Sequence, residues 1–370
     1  MRRGKRALGF KKEWRQMKKV LITGGAGFIG FHLADYLCAK KKYKIHIVDN
    51  LSRGKLDQEL RALIKKGSIK FINKDLTQKD SFRTLDCDYD YIYHLSAIVG
   101  VRNVVNDPGQ VLFVNINAIL NLFEWINKAQ VHLKNLLFAS TSEVYAGTLK
   151  HYKVTVPTDE NINLCLDDIG SARTAYALSK IVGEFACLNY FKIHSIPSTI
   201  VRFHNVYGPR MGYDHVMPEL MTKAKNSRKF LEVFSANHSR AFCYVLDAVR
   251  ATVMLTEDKG SVGQIFNVGN SSEEIKIKEL AKKIIKLINP PLKIKVMPNQ
   301  AGSPLRRCPD IRKLQFATGF KPLVSLTSGV QLTWDWYKNH LSRVLLSAVL
   351  PQMPLAKNKS PRCYSIQFNF

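Results

Sequence analysis

A tyrosine and a lysine four positions apart are the residues best suited to acid–base chemistry in this 370-residue chain. If the segment is helical, Tyr176 and Lys180 lie on one face, about a turn apart. The ordinary pKa of a phenol is about 10, and a fixed positive charge beside it favours the phenolate, which can then act as a base. The spacing is common by chance, but beside a cofactor site it predicts removal of a proton from a hydroxyl group.

A hydroxyl-rich segment upstream, residues 138–145 with the sequence FASTSEVY, supplies further polar side chains. Thr141 is placed to hydrogen-bond a reacting hydroxyl, and Glu143 supplies a carboxylate. Because the segment closes a predicted strand, both would lie at the carboxyl edge of a sheet, where open α/β folds bind ligands. A turn-forming threonine and an exposed loop acid are the plainer alternatives for each residue taken alone.

A glycine-rich turn, GGAGFIG at residues 24–30, separates a predicted strand from a predicted helix. Gly24, Gly27 and Gly30 permit a tight turn and a close approach of backbone N–H groups to a pyrophosphate. Phe28 and Ile29 complete the turn, and the amino end of the helix favours the phosphate charge. The segment therefore predicts a dinucleotide site.

An aspartate at the end of the next predicted strand indicates which dinucleotide is bound. Asp49 lies 19 residues after Gly30, where a carboxylate accepts hydrogen bonds from the ribose hydroxyls and repels a 2′-phosphate. This favours NAD over NADP, although Arg53 nearby weakens the preference, and Asn50 belongs to the same site. Asp75 and Leu76, after the following strand, are placed to meet the adenine; an ordinary loop acid is the alternative for Asp75.

Short β-branched runs alternate with longer helical patterns from Lys19 onward. The expected strands are 20–23, 44–48, 69–73, 91–95, 135–140, 198–203 and 264–268, and the expected helices are 28–40, 111–129, 172–191, 245–255 and 275–288. The predicted fold is α/β, a Rossmann-type doubly wound parallel sheet with a smaller C-terminal α/β substrate lobe. The domains are expected at 17–207 for NAD binding and 208–342 mainly for substrate, with a basic extension at 1–16 and an unassigned tail at 343–370.

The net charge of +27 indicates which kinds of ligand to expect, and the cysteines indicate the cellular compartment. Such a charge fits nucleic acid, an anionic membrane surface or small anionic ligands, but no aromatic-interleaved basic stripe favours nucleic acid. The seven scattered cysteines never form a CxxC pair, which argues against disulfides or a zinc site, so no metal is expected. We expect a cytoplasmic protein with no membrane span.

Together these motifs resemble the extended short-chain dehydrogenase/reductase family, in its branch of NAD-dependent sugar-nucleotide epimerases, dehydratases and decarboxylases. The resemblance covers roughly residues 18–340 and implies NAD as the cofactor, a nucleotide-sugar substrate and a homodimer. It implies the catalytic triad Thr141, Tyr176 and Lys180. Further implied cofactor residues are Leu95 and Ala97 in the segment HLSA, and Asn115. The implied substrate residues are Ser142, Asn205, Arg210, Arg240 and Arg306.

The residues around the threonine distinguish the reactions of this branch. Most 4,6-dehydratases carry Thr-Asp-Glu, whereas here Ser142 stands in the middle and cannot donate a proton as a carboxylic acid does. Simple 4-epimerases usually lack the glutamate. The sequence TSEVY, with the segment RRCPDI at 306–311, resembles UDP-glucuronate decarboxylases and implies that Arg307 handles the sugar carboxylate or the enolate.

Two departures keep other reactions open. GDP-mannose dehydratases also use Thr-Ser-Glu, and residues 98–102 lack the Ser-Pro-rich sequence of the enzymes that form UDP-xylose; in its place Arg102 could contact an acidic substrate. A 4-epimerase or a 4,6-dehydratase is therefore the alternative. A family member that binds NAD without catalysis is the alternative of another class, against which the intact Thr141, Tyr176 and Lys180 argue.

Overall fold

The structure is a computed structural model that describes residues 17–67, 69–300, 302 and 304–349. The basic extension at 1–16 and residues 350–370 of the tail lie outside the described residues. The strands are β1 Lys18–Thr23, β2 Tyr43–Val48, β3 Ile69–Ile72, β4 Tyr91–His94, β5 Asn135–Thr141, β6 Ser198–Phe203, β7 Val206–Tyr207, β8 Phe230–Val233, β9 Ser239–Ala241, β10 Cys243–Tyr244, β11 Ile265–Val268, β12 Glu274–Lys276, β13 Lys293–Val296 and β14 Arg306–Arg307. The helices are α1 Phe28–Ala39, α2 Gln58–Lys66, α3 Val101–Asn106, α4 Pro108–Lys128, α5 Ala146–His151, α6 Thr174–His194, α7 Val216–Asn226, α8 Val245–Glu257, α9 Ile277–Ile288, α10 Arg312–Thr318 and α11 Leu326–Val349.

A seven-stranded sheet in the order β11-β6-β5-β4-β1-β2-β3 forms the centre of the fold. Its neighbouring strands all pair in parallel. The chain leaves β1 toward β2 and β3 and then returns to β4 on the other side, so the strand order reverses between β1 and β4. That reversal opens a crevice at the carboxyl ends of these strands, which is where such sheets bind ligands. The predicted Rossmann-type sheet is confirmed.

Both faces of the sheet are covered, because successive residues of a strand point to opposite sides. On β1, Val20 and Ile22 belong to the core beneath α1 and α8, whereas Leu21 belongs to the core beneath α4 and α6. Strands buried on both faces read as continuous apolar runs, as β1 does.

The smaller lobe is built from short strands. They form a β12-β9-β14 sheet and the pairs β10-β7 and β13-β8. The chain after position 207 does not form the smaller lobe alone, because β11 returns to the edge of the large sheet and α8 packs against α1. Two expected boundaries also differ: Ile275 belongs to β12 rather than to the following helix, and α11 extends through residues 343–349 of the tail.

Helix α4 is the one helix among the described residues that is long and apolar enough to cross a bilayer. It packs against α6 and carries two buried asparagines, Asn115 and Asn121, that bond to neighbouring loops. These contacts are those of a core helix. Phe113, on the outer side of α4, is half exposed.

Candidate active site

The glycine turn after β1 leaves no room for side chains. Gly24 adopts φ +70°, and a Cβ built there would lie 2.8 Å from the Ser96 nitrogen. A Cβ on Gly30 would lie 2.4 Å from the Gly24 oxygen, so α1 packs directly on the turn. Gly27 caps α1, whose first residues are Phe28 and Ile29. The close main-chain packing and the helix amino end fit a dinucleotide pyrophosphate.

Asp49 follows β2 and holds this turn in place. Its Oδ2 accepts a hydrogen bond of 3.0 Å from the Ala26 backbone N–H, and its Oδ1 accepts one of 2.8 Å from Leu51. Burial raises the pKa of the Asp49 carboxyl, while the two N–H donors act in the opposite direction. The exposed Asn50 stabilises the same loop by accepting a bond from the Ser52 N–H. The carboxylate retains further lone pairs for ribose hydroxyls.

Asp75 and Leu76 lie after β3, the next strand along the same edge of the sheet. The Asp75 Oδ1 accepts bonds from both the backbone and the hydroxyl of Thr77, at 2.9 and 2.8 Å. Leu76 is buried, and its carbonyl accepts a 3.1 Å bond from Asn121 on α4. These contacts fix the loop that lies beside the Asp49 loop.

Asn115 connects the loop after β4 to helix α6. Its Oδ1 accepts a 2.7 Å bond from the Ile98 N–H, and its Nδ2 donates to the Ser179 hydroxyl at 3.1 Å. This holds the segment that contains Leu95 and Ala97 against the helix that carries Tyr176. In this structure Asn115 therefore acts as a positioning residue.

Tyr176 and Lys180 lie on α6 beside the end of β5. Lys180 is buried, and its ammonium donates a 2.8 Å bond to the Ala139 carbonyl. Burial lowers the pKa of Lys180 to about 8. Burial and the Glu143 charge raise the pKa of the Tyr176 phenol, while a hydrogen bond with Thr141 and the charge of Arg53 lower it. Burial prevails, so the pKa of the phenol lies above its ordinary value, and the charge of Arg53 opposes this rise.

Glu143 forms a two-pronged ion pair with Arg307 of β14. The Arg307 Nη1 and Nη2 donate to the two carboxylate oxygens at 2.6 and 3.2 Å. Burial acts to raise the pKa of Glu143, but the charge and hydrogen bonds of Arg307 outweigh it, and the pKa is lowered. Arg240 and Arg173 lie near enough to lower it further. One acid is therefore surrounded by three arginines, an arrangement suited to an anionic ligand.

The sequence model of the NAD dependent epimerase/dehydratase family matches residues 20–269 of this chain. The chain belongs to that family. The resemblance inferred from the motifs is thereby confirmed, and NAD is the family's cofactor.

Relatives of this family member match it along most of their length. A UDP-N-acetyl-alpha-D-glucosaminuronate decarboxylase from Bacillus cytotoxicus is 34% identical over 332 residues, which are 87% of this chain and 98% of the relative. UDP-glucuronic acid decarboxylase 6 from Arabidopsis thaliana is 31% identical, over 89% and 92% of the two chains. The solved structure of UDP-glucuronic acid 4-epimerase from Bacillus cereus, in complex with UDP-glucuronic acid and NAD, is 27% identical with a TM-score of 0.77, over 87% and 99% of the chains.

Three of the residues expected to bind substrate lie away from the Glu143–Arg307 pair. Arg306 pairs instead with Glu274 through bonds of 2.7 and 2.8 Å, which fixes β14 to β12. Arg210 pairs with Asp57 and Glu59 and covers the Phe31 ring at 3.9 Å. Arg102 is exposed on α3. Each of these arginines has a structural setting of its own.

Other substrate candidates lie nearer the centre of the site. Asn205 follows β6, and its Nδ2 donates a 3.3 Å bond to the Ala241 carbonyl of β9. Arg240, also on β9, lies beside Arg307 in the β14-β9 register. Burial lowers the pKa of Arg240 to about 10, and the charge of Arg307 acts in the same direction. Ser142, the neighbour of Glu143 in the chain, is buried.

Sequence reasoning missed Arg173 and the reach of Arg53. Arg173 precedes Tyr176 by three positions, so helical spacing alone would have indicated that it shares the face of the phenol. Arg53 leaves the Asp49 loop and extends to the opposite side of the crevice, where a Cβ on Gly100 or Gly212 would lie 3.6 or 3.5 Å from its Nη2. Nothing in the sequence indicates that the Arg53 side chain extends this far.

A buried polar network beneath the site was also missed. Arg202 of β6 forms a two-pronged pair with Glu184 of α6, at 2.9 and 2.6 Å, and donates to the Tyr145 hydroxyl at 2.8 Å. Tyr145 in turn donates to the Asn267 Oδ1 of β11 at 2.9 Å. The hydrogen bonds of Tyr145 and Arg202 therefore connect the segment after β5 with β6, β11 and α6.

Proposed function

We propose that this protein oxidises C4 of a nucleotide-linked uronic acid and so removes the sugar carboxyl group as CO2, with UDP-glucuronate as the expected substrate. The observation that carries the proposal is the Glu143–Arg307 pair close to Tyr176. An arginine fork recognises a carboxylate through two parallel hydrogen bonds, which a neutral sugar cannot match. The names of the decarboxylase relatives support the same reaction.

In this proposal Tyr176 removes the proton of the C4 hydroxyl, and Thr141 holds that hydroxyl by a hydrogen bond. Lys180 supplies a positive charge one helical turn from the phenol, which favours the phenolate. When bound, NAD supplies the hydride acceptor for the oxidation and the hydride donor for the later reduction at C4, so that once the enolate is protonated the net change is loss of CO2. Asp49 and the turn at 24–30 hold the cofactor against the sheet.

The arginines complete the proposed reaction. A carboxylic acid with a ketone on its β carbon loses CO2 readily, because the ketone accepts the electrons of the breaking bond. The chain then needs to position the sugar and to stabilise the developing enolate charge, which are tasks for Arg307 and Arg240. The charge of Glu143 acts on the phenol, and the charges of both arginines act on Glu143.

A 4-epimerase is the second candidate, because the similar epimerase of Bacillus cereus was solved with UDP-glucuronic acid and NAD. Epimerisation of the same substrate would use the same phenol and lysine. It would leave the carboxyl group in place, so the product distinguishes the two reactions.

The deciding experiment is incubation with UDP-glucuronate and NAD, followed by CO2 measurement and mass spectrometry of the sugar nucleotide. Loss of about 44 Da with CO2 release supports the decarboxylase. Loss of about 18 Da would indicate a dehydratase, and an unchanged mass with a new isomer would indicate an epimerase.

Tyr176→Phe tests the assignment of the base. Removal of the phenolic oxygen should lower turnover by about two to four orders of magnitude with little change in NAD affinity. Turnover is measured as CO2 release, and NAD affinity by calorimetry. Tyr152→Phe, which alters an exposed tyrosine of the same lobe, serves as the control. A nearly normal rate in Tyr176→Phe would remove the residue from the catalytic machinery.

The assembly and location are part of the same proposal. A homodimer is supported by the apolar side chains that α4 and α6 leave on one side of the molecule, Phe113 and Phe185 among them. A cytoplasmic reaction without nucleic acid is supported by the unpaired cysteines of the described residues and by the small-anion character of the arginine cluster.

A further inference from the structure

The Glu143–Arg307 pair uses the groups that a substrate carboxylate requires. Both terminal nitrogens of Arg307 donate to Glu143, and the other edge of the guanidinium, which contains Nε, is buried, so the edge that faces the site is already occupied. We propose that Glu143 and the sugar carboxylate compete for Arg307, so that an acidic sugar nucleotide binds by displacing Glu143 from the arginine. This inference rests on the proposed function and deepens it.

The two partners differ in how firmly they are held. Arg307 lies on β14, paired with Arg240 of β9, and its side chain is 8% exposed. The side chain of Glu143 is 39% exposed and follows the end of β5 in a short 3₁₀ turn. Glu143 is therefore the partner that can turn toward solvent, while Arg307 remains in place to receive another carboxylate.

The charges around the pair make the exchange selective. A buried arginine without an anion is costly, so Arg307 needs one carboxylate at all times. The nearby charges of Arg240 and Arg173 keep Glu143 ionised, and an ionised Glu143 outcompetes a neutral sugar hydroxymethyl group. A ligand with its own carboxylate replaces Glu143 without loss of a charge pair. When that carboxylate departs as CO2, Glu143 recovers Arg307 and favours release of the neutral product.

The test measures binding rather than turnover, in NAD-loaded protein carrying Tyr176→Phe to stop the reaction. Calorimetry compares UDP-glucuronate with UDP-glucose, in which a neutral hydroxymethyl group replaces the carboxylate. In Glu143→Gln the competitor charge is gone, so UDP-glucuronate should bind about tenfold more tightly, while UDP-glucose changes by about twofold or less. Because both ligands carry the diphosphate, an effect of charge on the diphosphate would change both affinities equally.

Glu274→Gln is the matched control, because it breaks the corresponding two-pronged pair on the adjacent Arg306. It should leave both affinities unchanged. If Glu143→Gln does not fold, as judged by thermal unfolding, Glu143→Asp replaces it. This variant shortens the same side chain and should raise the affinity for UDP-glucuronate by a smaller factor. In an Arg307→Lys background the Glu143 substitution should no longer affect ligand choice.

Equal changes for both ligands, or weaker binding of UDP-glucuronate alone, would overturn the exchange. That result is independent of the proposed reaction. If the wild-type protein released no CO2 and Glu143→Gln still favoured the acidic ligand, the decarboxylase would be wrong, and the exchange would stand for an enzyme that acts otherwise on the same class of substrate.

Discussion

At the scale of single residues, a buried charge in the site lowers the stability of the folded chain. Lys180 is buried with a backbone carbonyl as its hydrogen-bond partner, and burial lowers its pKa to about 8 from the ordinary 10.5. Between these two values the unfolded chain binds more protons than the folded one, so folding stability rises with pH there. Below about pH 8 the full cost of the buried charge is present.

Lys180→Met should therefore be inactive but more stable than the wild type at pH 7, by up to about 3 kcal/mol in the free energy of unfolding. The gain should shrink as the pH is raised from 8 toward 10.5. Denaturant unfolding at several pH values measures both effects, with Lys192→Met on the exposed side of the same helix as the control. A pH-independent loss of stability would contradict the argument.

Asp49 is a second residue whose role is local. Its carboxylate joins the glycine turn to the loop after β2, and we propose that it also repels a 2′-phosphate. In Asp49→Ala the preference for NAD over NADP should fall by about tenfold or more, mainly through weaker NAD binding. Fluorescence titration with NADH and NADPH measures the ratio, and the exposed Asp80→Ala is the control. Unchanged selectivity would remove Asp49 from the cofactor site.

At the scale of elements, α1 and α6 meet the sheet at distances that particular residues set. Helix α1 approaches the glycine turn because Gly30 has no Cβ. Helix α6 approaches β5 in the same way, since a Cβ on Gly183 would lie 2.2 Å from the Phe138 ring. The position of Tyr176 relative to Thr141 therefore depends on a small residue one turn past Lys180.

Gly30→Ala places a methyl group 2.4 Å from the Gly24 oxygen, and the turn must move to accept it. We expect a loss of roughly 1–3 kcal/mol in the free energy of unfolding, together with weaker NAD binding. Gly109→Ala in the first turn of α4 is the control, because its Cβ meets only the Asp107 carboxylate at 3.7 Å. It should be neutral or stabilising by about 0.5–1 kcal/mol. Equal stability of the two variants would argue against close packing at Gly30.

At the scale of the whole molecule, the two faces of the sheet have different outer surfaces. The face of α1 and α8 also receives the smaller lobe through α7 and α11. The face of α4 and α6 keeps large apolar side chains exposed, with Phe185 at 67% and Phe113 at 51%. Exposed apolar side chains of this size on two packed helices favour association with a second copy.

Phe185→Glu should therefore convert the proposed dimer into a monomer, because a charge at a symmetric interface faces its own copy. Sedimentation velocity measures the mass, and circular dichroism checks the fold. Phe316→Glu on α10 alters a side chain that is 96% exposed outside this face and should leave the assembly unchanged. A monomeric wild type would contradict the proposal directly.

The sequence by itself determined the parallel sheet, the cofactor turn and the Tyr176–Lys180 helix. These features are local, because a glycine spacing, an i,i+4 pair or an apolar run has its physical consequence within a few residues. Strand and helix boundaries followed for the same reason, and most observed ends lie within a few residues of those expected.

Only the tertiary structure decided which arginine meets Glu143. Arg306 and Arg307 are neighbours of the same type, and their side chains point to opposite sides of a short strand, so pairing with Glu274 or Glu143 depends on how β14 lies beside β9. The return of β11 to the large sheet and the reach of Arg53 are likewise contacts between residues far apart in the chain. Spacing along a sequence carries no information about such contacts, because packing of the whole chain sets them.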